Sequence, residues 1–202
     1  MNSQTLGENE QSTGGQCEYL TLVFSPLSAP LRSRWRNNGL SADFLGDYVT
    51  TFLPAEANVA AAESHQNAIK HAVTYIANEL LENAMKYHER HVDIPIGIRL
   101  ELSADRITVS ATNGVGFGAA EIYKSYVEDM LKENPGDLLV RQLEGNSGEE
   151  ESKKSGLGLL TMINDYGAKL GWQFELHPAH AEAMTVTTRA VLPINSFSGA
   201  GV

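Results

Sequence analysis

The stretch from Val59 to Arg90 contains neither glycine nor proline, and no other part of the chain constrains the fold as strongly. Ile69, Val73, Ile76, Leu80 and Ala84 recur with the periodicity of one apolar stripe on a long helix. A helix with a single stripe of that length has to lie across other elements and form the centre of a core. With Ile76 set at zero and about 100° per residue, Leu80, Val73 and Ala84 fall near roughly +40°, +60° and +80°, Glu79 near roughly −60° and Asn83 near roughly −20°. Two strongly polar side chains therefore share the face expected to be buried. Such breaks of a local rule concentrate at functional sites, although a hydrogen-bonded buried pair or a curved helix accounts for them equally well. Glu82 and Lys86 fall outside the stripe and read as an ordinary surface pair.

Around this helix the other elements follow from pattern. Residues 19–24, Tyr-Leu-Thr-Leu-Val-Phe, predict a strand, and Ser41 opens a helix with Phe44, Leu45, Tyr48, Val49 and Phe52 on one side, ending at Pro54. Residues 96–102 and 106–111 predict a hairpin turning at Ala104-Asp105, with Ile107, Val109 and Ala111 alternating with polar neighbours. An amphipathic helix near 119–132, a long lid-like connection over 133–156, a helix from Leu157 to Leu170 stopped by Gly171, and strands near 172–177 and 184–192 complete the chain. This order predicts an α/β (α+β) two-layer sandwich, a mixed but mostly antiparallel sheet with helices on one face. A single domain over 18–195 is expected between a disordered polar tail over 1–17 and a Ser/Gly tail over 196–202. Arg32, Arg34, Trp35 and Arg36 read as a solvated helix face, His88 and His91 as helix-end residues, and Trp172 and Phe174 as core.

Charge narrows the function. Among 202 residues, 25 acidic and 15 basic side chains give a formal charge of −10, which repels phosphate backbones and anionic lipid and argues against nucleic-acid or membrane partners. The single cysteine, Cys17, cannot form an internal disulfide, no Cys/His spacing suggests a metal site, and no basic-apolar leader or apolar run of about 18 residues is present. A cytoplasmic protein is the expectation.

Two glycine-rich segments flank the remaining evidence. Thr112-Asn113-Gly114-Val115-Gly116-Phe117-Gly118 follows a strand, and Ser155-Gly156-Leu157-Gly158 precedes a helix. A glycine turn at a helix N-terminus offers free N–H groups and the positive dipole end to a phosphate. Together with the oxygen donors Glu79 and Asn83, such segments suit a triphosphate with Mg2+, which prefers a few protein oxygens plus phosphate and water.

These residues carry a resemblance. Asn78-Glu79-Leu80-Leu81-Glu82-Asn83-Ala84-Met85-Lys86-Tyr87 resembles the N box of the GHKL ATPase superfamily. Asn113-Gly114-Val115-Gly116 resembles its first glycine box and Ser155-Gly156-Leu157-Gly158-Leu159-Leu160 its second, in the same order, over roughly residues 59–192. The resemblance implies a Bergerat ATP-binding fold with ATP and Mg2+ as cofactors. It implies Asn83 as metal ligand, Glu79 as the catalytic residue that orients or activates the attacking group, and Lys86 near phosphate. Gly114 and Gly116 would shape the adenine end, while Gly156, Leu157 and Gly158 would bring helix amides to the phosphates. Thr112 stands where the family carries an aspartate that accepts the adenine amino hydrogen, leaving the Thr112 hydroxyl or the Asn113 amide oxygen to accept it. The small size resembles anti-sigma-factor serine kinases. That implies a protein serine/threonine kinase acting on a regulatory protein of the anti-anti-sigma kind, with room for a homodimer. The alternatives are a non-catalytic nucleotide-sensing or partner-sequestering module, or the catalytic half of a split histidine kinase.

Overall fold

The computed structural model describes residues 3–8, 17–25, 31–53, 59–89, 91–145, 156–180 and 182–194. In chain order these form β1 (Ser3–Gly7), β2 (Glu18–Phe24), α1 (Leu31–Thr50), α2 (Val59–Lys86), β3 (Ile96–Leu102), β4 (Arg106–Gly116), α3 (Phe117–Met130), α4 (Pro135–Gly145), α5 (Leu157–Asn164), β5 (Lys169–Leu176) and β6 (Ala183–Pro193). The strands make one sheet in the order β1-β5-β6-β4-β3-β2. Every neighbouring pair is antiparallel, so the mixed sheet expected from the sequence is wholly antiparallel among the described residues.

Strand alternation decides which face is covered. Ile96, Ile98 and Leu100 in β3 and Ile107, Val109 and Ala111 in β4 are buried beneath the helices, whereas Arg99, Glu101, Thr108, Ser110 and Thr112 take the opposite, polar face. The stripe of α2 supplies the other layer: Ile69, Val73, Ile76 and Leu80 are essentially inaccessible. Each such side chain contributes about 1.5–3 kcal/mol of burial. Trp172 and Phe174 are core, as their sequence suggested. Helix α1 runs antiparallel along α2, and a Cβ at Gly46 would collide with the Thr74 hydroxyl, so glycine in mid-helix lets the two backbones approach.

Several boundaries differ from the sequence reading. Ser3–Gly7 is not tail but an edge strand, pairing Leu6 with Trp172 and Gly7 with Gly171. Helix α1 begins at Leu31, well before Ser41; the side chains of Arg32, Arg34, Trp35 and Arg36 lie outside the described residues. Helix α5 stops at Asn164 rather than Leu170, because Gly167 takes a positive φ of 63° and Lys169 onward pairs with β6. The expected lid contains a helix of its own, α4, whose start is capped by Asn134 Oδ1 accepting from the Gly136 amide at 2.9 Å. The rest of that segment, 146–155, and the expected tails over 9–16 and 196–202 lie outside the described residues. Among the described residues no helix is long and apolar enough to cross a membrane.

Candidate functional site

Strand β4 continues through Asn113-Gly114-Val115-Gly116, pairing them with Val186, Thr185, Met184 and Ala183 of β6. The first glycine segment is therefore strand rather than loop, and alternation sorts its side chains. Ala111, Asn113 and Val115 face the helices, while Thr112 points to the opposite face, where its Oγ1 lies 2.9 Å from Thr187 Oγ1. Of the two acceptors left open by the sequence, Thr112 is excluded from the helix-side wall and Asn113 occupies it. Gly114 and Gly116 also leave that wall. A Cβ at Gly114 would press on Val92 and Ile94, so this glycine makes room for the 92–94 segment instead of shaping a ligand site. The Gly114 amide donates to His88 Nδ1 at 3.3 Å and its carbonyl accepts from the Glu89 amide at 2.8 Å. His88, two residues past the end of α2, is thus a buried partner of β4.

Between α2, α3, β4 and β6 lies a cavity of about 400 Å3. Its walls are mainly apolar, with Leu80, Ala84, Val115 and Val186 among them, and no charged side chain lines it among the described residues. The polar groups are few: Asn83, Asn113, Thr188 and the tyrosines 87, 123 and 126. Asn113 is only 7% exposed, and its Nδ2 is buried without a hydrogen-bond partner. A buried donor left unpaired costs about 1–3 kcal/mol, so it marks a place where another acceptor belongs. Tyr123 is fixed by the Trp172 indole N–H donating to its hydroxyl at 2.8 Å, and burial holds its phenol above the usual range. The tyrosines and Thr188 are missed by motif reading, yet Tyr123 and Tyr126 sit at helical spacing on one side of the amphipathic α3.

The second glycine segment approaches this cavity from its rim. Gly156 is left-handed, with φ of 106°, and a Cβ there would strike the Tyr126 hydroxyl. It starts α5, whose first turn has no side-chain cap, so amide donors and the positive dipole end remain available there. Two residues on, a Cβ at Gly158 would collide with the Glu79 carboxylate. Leu157, between them, is half-buried. Glu79 is itself half-buried and rests against α5 instead of entering the cavity; desolvation, then the nearby Glu82, raises its carboxyl above the usual carboxylate range. Asn83, one turn on, does line the cavity. Lys86 is exposed, 5.2 Å from the Tyr87 ring centroid, and is not part of the cavity wall.

The structure thus brings together Glu79, Asn83, Asn113, Gly156 and Gly158, and leaves out Thr112, Gly114, Gly116 and Lys86. An uncharged cavity of this size has room for a flat heteroaromatic group, and the uncapped start of α5 offers backbone donors of the kind that suit an anion. Among the described residues no group of three or more His, Cys, Asp and Glu could hold a metal. One amide oxygen at Asn83 and the Glu79 carboxylate nearby suit a cation held mostly by phosphate and water.

No model of a known protein family matches the chain, and no curated protein matches it in sequence. Among solved structures the fold is similar to a chain in the crystal structure of the SiaB-SiaC complex from Pseudomonas aeruginosa, with a TM-score of 0.54 and 19% identity. The match covers 85% of this chain and 89% of that one, so the likeness extends over nearly the whole fold.

Proposed function

We propose that this chain is a signalling regulator that binds Mg-ATP and transfers the terminal phosphoryl group to a serine or threonine of a partner protein. The observation that carries the reading is the unpaired Asn113 Nδ2 in the wall of a mainly apolar, uncharged cavity. An asparagine amide offers a donor beside an acceptor and pairs with the amino and ring-nitrogen edge of adenine. With the base there, the phosphates lead towards the uncapped start of α5, and Asn83 and Glu79 stand on the adjoining face of α2. The resemblance to the GHKL boxes supports the same assignment. When bound, Mg2+ supplies positive charge to the phosphates; Asn83 would be its protein ligand. A protein partner is supported by the fold likeness to a chain of the SiaB-SiaC complex. A second reading, a module that binds nucleotide and sequesters its partner without turnover, draws on the Glu79 carboxylate resting on α5 rather than in the cavity.

Calorimetry tests the first step. Mg-ATP is expected to bind, and Asn83→Ala is expected to weaken it by about tenfold while adenosine affinity stays within about twofold, because only the metal-linked part of the contact is lost. Thr112→Val is expected to leave both affinities within about twofold, since its hydroxyl faces Thr187 across the sheet. No binding at millimolar Mg-ATP removes the proposal.

A further inference from the structure

Glu79 also closes one end of a groove on the other side of α2 from the cavity. This groove, about 490 Å3, runs between α1, α2 and the turn after α5, over Gly39 and Ala42 and past Asp43, Thr74, Tyr75 and Tyr166. Its floor is open at Gly39, where a Cβ would meet nothing within 4 Å. Tyr75 and Tyr166 stack at 5.0 Å along one wall, and the Thr74 hydroxyl is buried without a hydrogen-bond partner. Charge along it is one-sided. Asp43 and Glu79 face the groove, His71 is the basic residue lining it, and Lys70 is engaged with Asp47.

The groove and the cavity share no lining residue; Glu79 links the groove to the start of α5, since it lines the groove and its carboxylate abuts Gly158, while Asn83 one turn on lines the cavity. A nucleotide whose base fills the cavity and whose phosphates reach α5 leaves the groove side open for an acceptor, as in-line displacement requires. Gly46 packs on Lys70 and Thr74, so the antiparallel helices bring Gly39 level with Glu79; Asp43 is then about 6 Å away along the axis and about 8–10 Å across the helix pair, a span of roughly three residues of extended chain.

Building on the phosphoryl-transfer reading, we infer that this groove receives an extended segment of the partner protein, placing a serine or threonine hydroxyl at Glu79 and a lysine or arginine about three residues away at Asp43. The hydroxyl oxygen forms a bond to the terminal phosphorus of ATP as the bond to the bridging oxygen breaks. ADP leaves with that electron pair, and the hydroxyl proton passes to the Glu79 carboxylate.

The test uses the full chain, labelled Mg-ATP and a positional-scanning library of decapeptides with one central serine or threonine. Phosphorylation and, with a non-hydrolysable ATP analogue, fluorescence anisotropy of the same peptides are both read. The parent is expected to prefer lysine or arginine about three residues from the hydroxyl. Asp43→Lys, at an exposed position outside the cavity, should reverse that preference towards aspartate or glutamate and raise KM for the basic peptides about tenfold, with Mg-ATP affinity unchanged. Unchanged selectivity in Asp43→Lys, or neither binding nor labelling of any peptide by nucleotide-loaded protein, overturns the groove assignment. Loss of Mg-ATP binding in the parent is a separate result that removes the underlying reading.

Discussion

Glu79→Gln is expected to retain Mg-ATP within a few-fold of the parent and to lose about 100-fold or more in phosphoryl transfer, the scale of removing a general base. The cavity and the start of α5 hold the nucleotide, and the Glu79 carboxylate lines neither the cavity nor the base-reading wall. Its surroundings prepare it for proton transfer. Desolvation first and Glu82 second raise its carboxyl, and Tyr75, Asp43, Tyr166 and His71 face the same groove. The rate of the parent should therefore rise with pH through a value above the usual carboxylate range, and the glutamine variant should lack that limb. Stability carries the opposite sign. A carboxyl whose folded pKa lies above its unfolded value costs the folded state nothing below the unfolded value, and its full penalty is present above the folded one. Glu79→Gln should therefore melt higher than the parent at pH 8, and the gap should close by pH 4. Single-turnover rates and thermal melts over that range check both statements. Equal losses of binding and transfer would instead make Glu79 a structural contact of α5.

The long helix was legible because thirty-two residues without glycine or proline leave few alternatives, and its polar break falls where Asn83 lines the cavity and Glu79 abuts α5. What the helical wheel left unresolved was the roughly 40° between Asn83 and Glu79. That angle sends one side chain into the cavity and the other towards α5 and the groove beyond. The sheet gave a sharper lesson. Motif spacing aligned Thr112 with the family's aspartate and left Thr112 and Asn113 both open as acceptor, yet the alternation of Ile107, Val109 and Ala111 already implied that Asn113 and Val115 share their face. A shift of one residue along a strand exchanges the faces completely, so pleat outranks motif spacing there. Strand β1 was not legible for another reason. Ser3-Gln4-Thr5-Leu6-Gly7 has a single large apolar residue, and its place at the sheet edge comes from backbone pairing with β5 and from Leu6 packing on the core. Helix α4 was hidden because glycine and charge around Asn134-Pro135-Gly136 read as loop, whereas the asparagine is an N-terminal cap.

Asn113→Leu is expected to separate function from stability in one substitution. The Asn113 amide is 93% buried on the inner wall of the sheet, and its Nδ2 has no partner, so the folded protein carries the cost of a desolvated donor, about 1–3 kcal/mol. Leucine is close in size, keeps the inward position between Ala111 and Val115, and removes that cost. The variant should melt a few degrees higher, since about 1 kcal/mol moves the midpoint by roughly 2–4 °C in a chain of this length. The same change deletes both hydrogen bonds proposed for the adenine edge. A bidentate amide-adenine pair is worth about 1–3 kcal/mol, so Mg-ATP affinity should fall by roughly 5–150-fold and any preference for ATP over GTP should collapse. A protein that melts higher and binds worse is what a binding residue predicts and a packing residue does not. If Asn113→Leu instead lowers the melting temperature and leaves Mg-ATP affinity unchanged, the amide serves the apolar wall itself, and the base-reading group lies elsewhere.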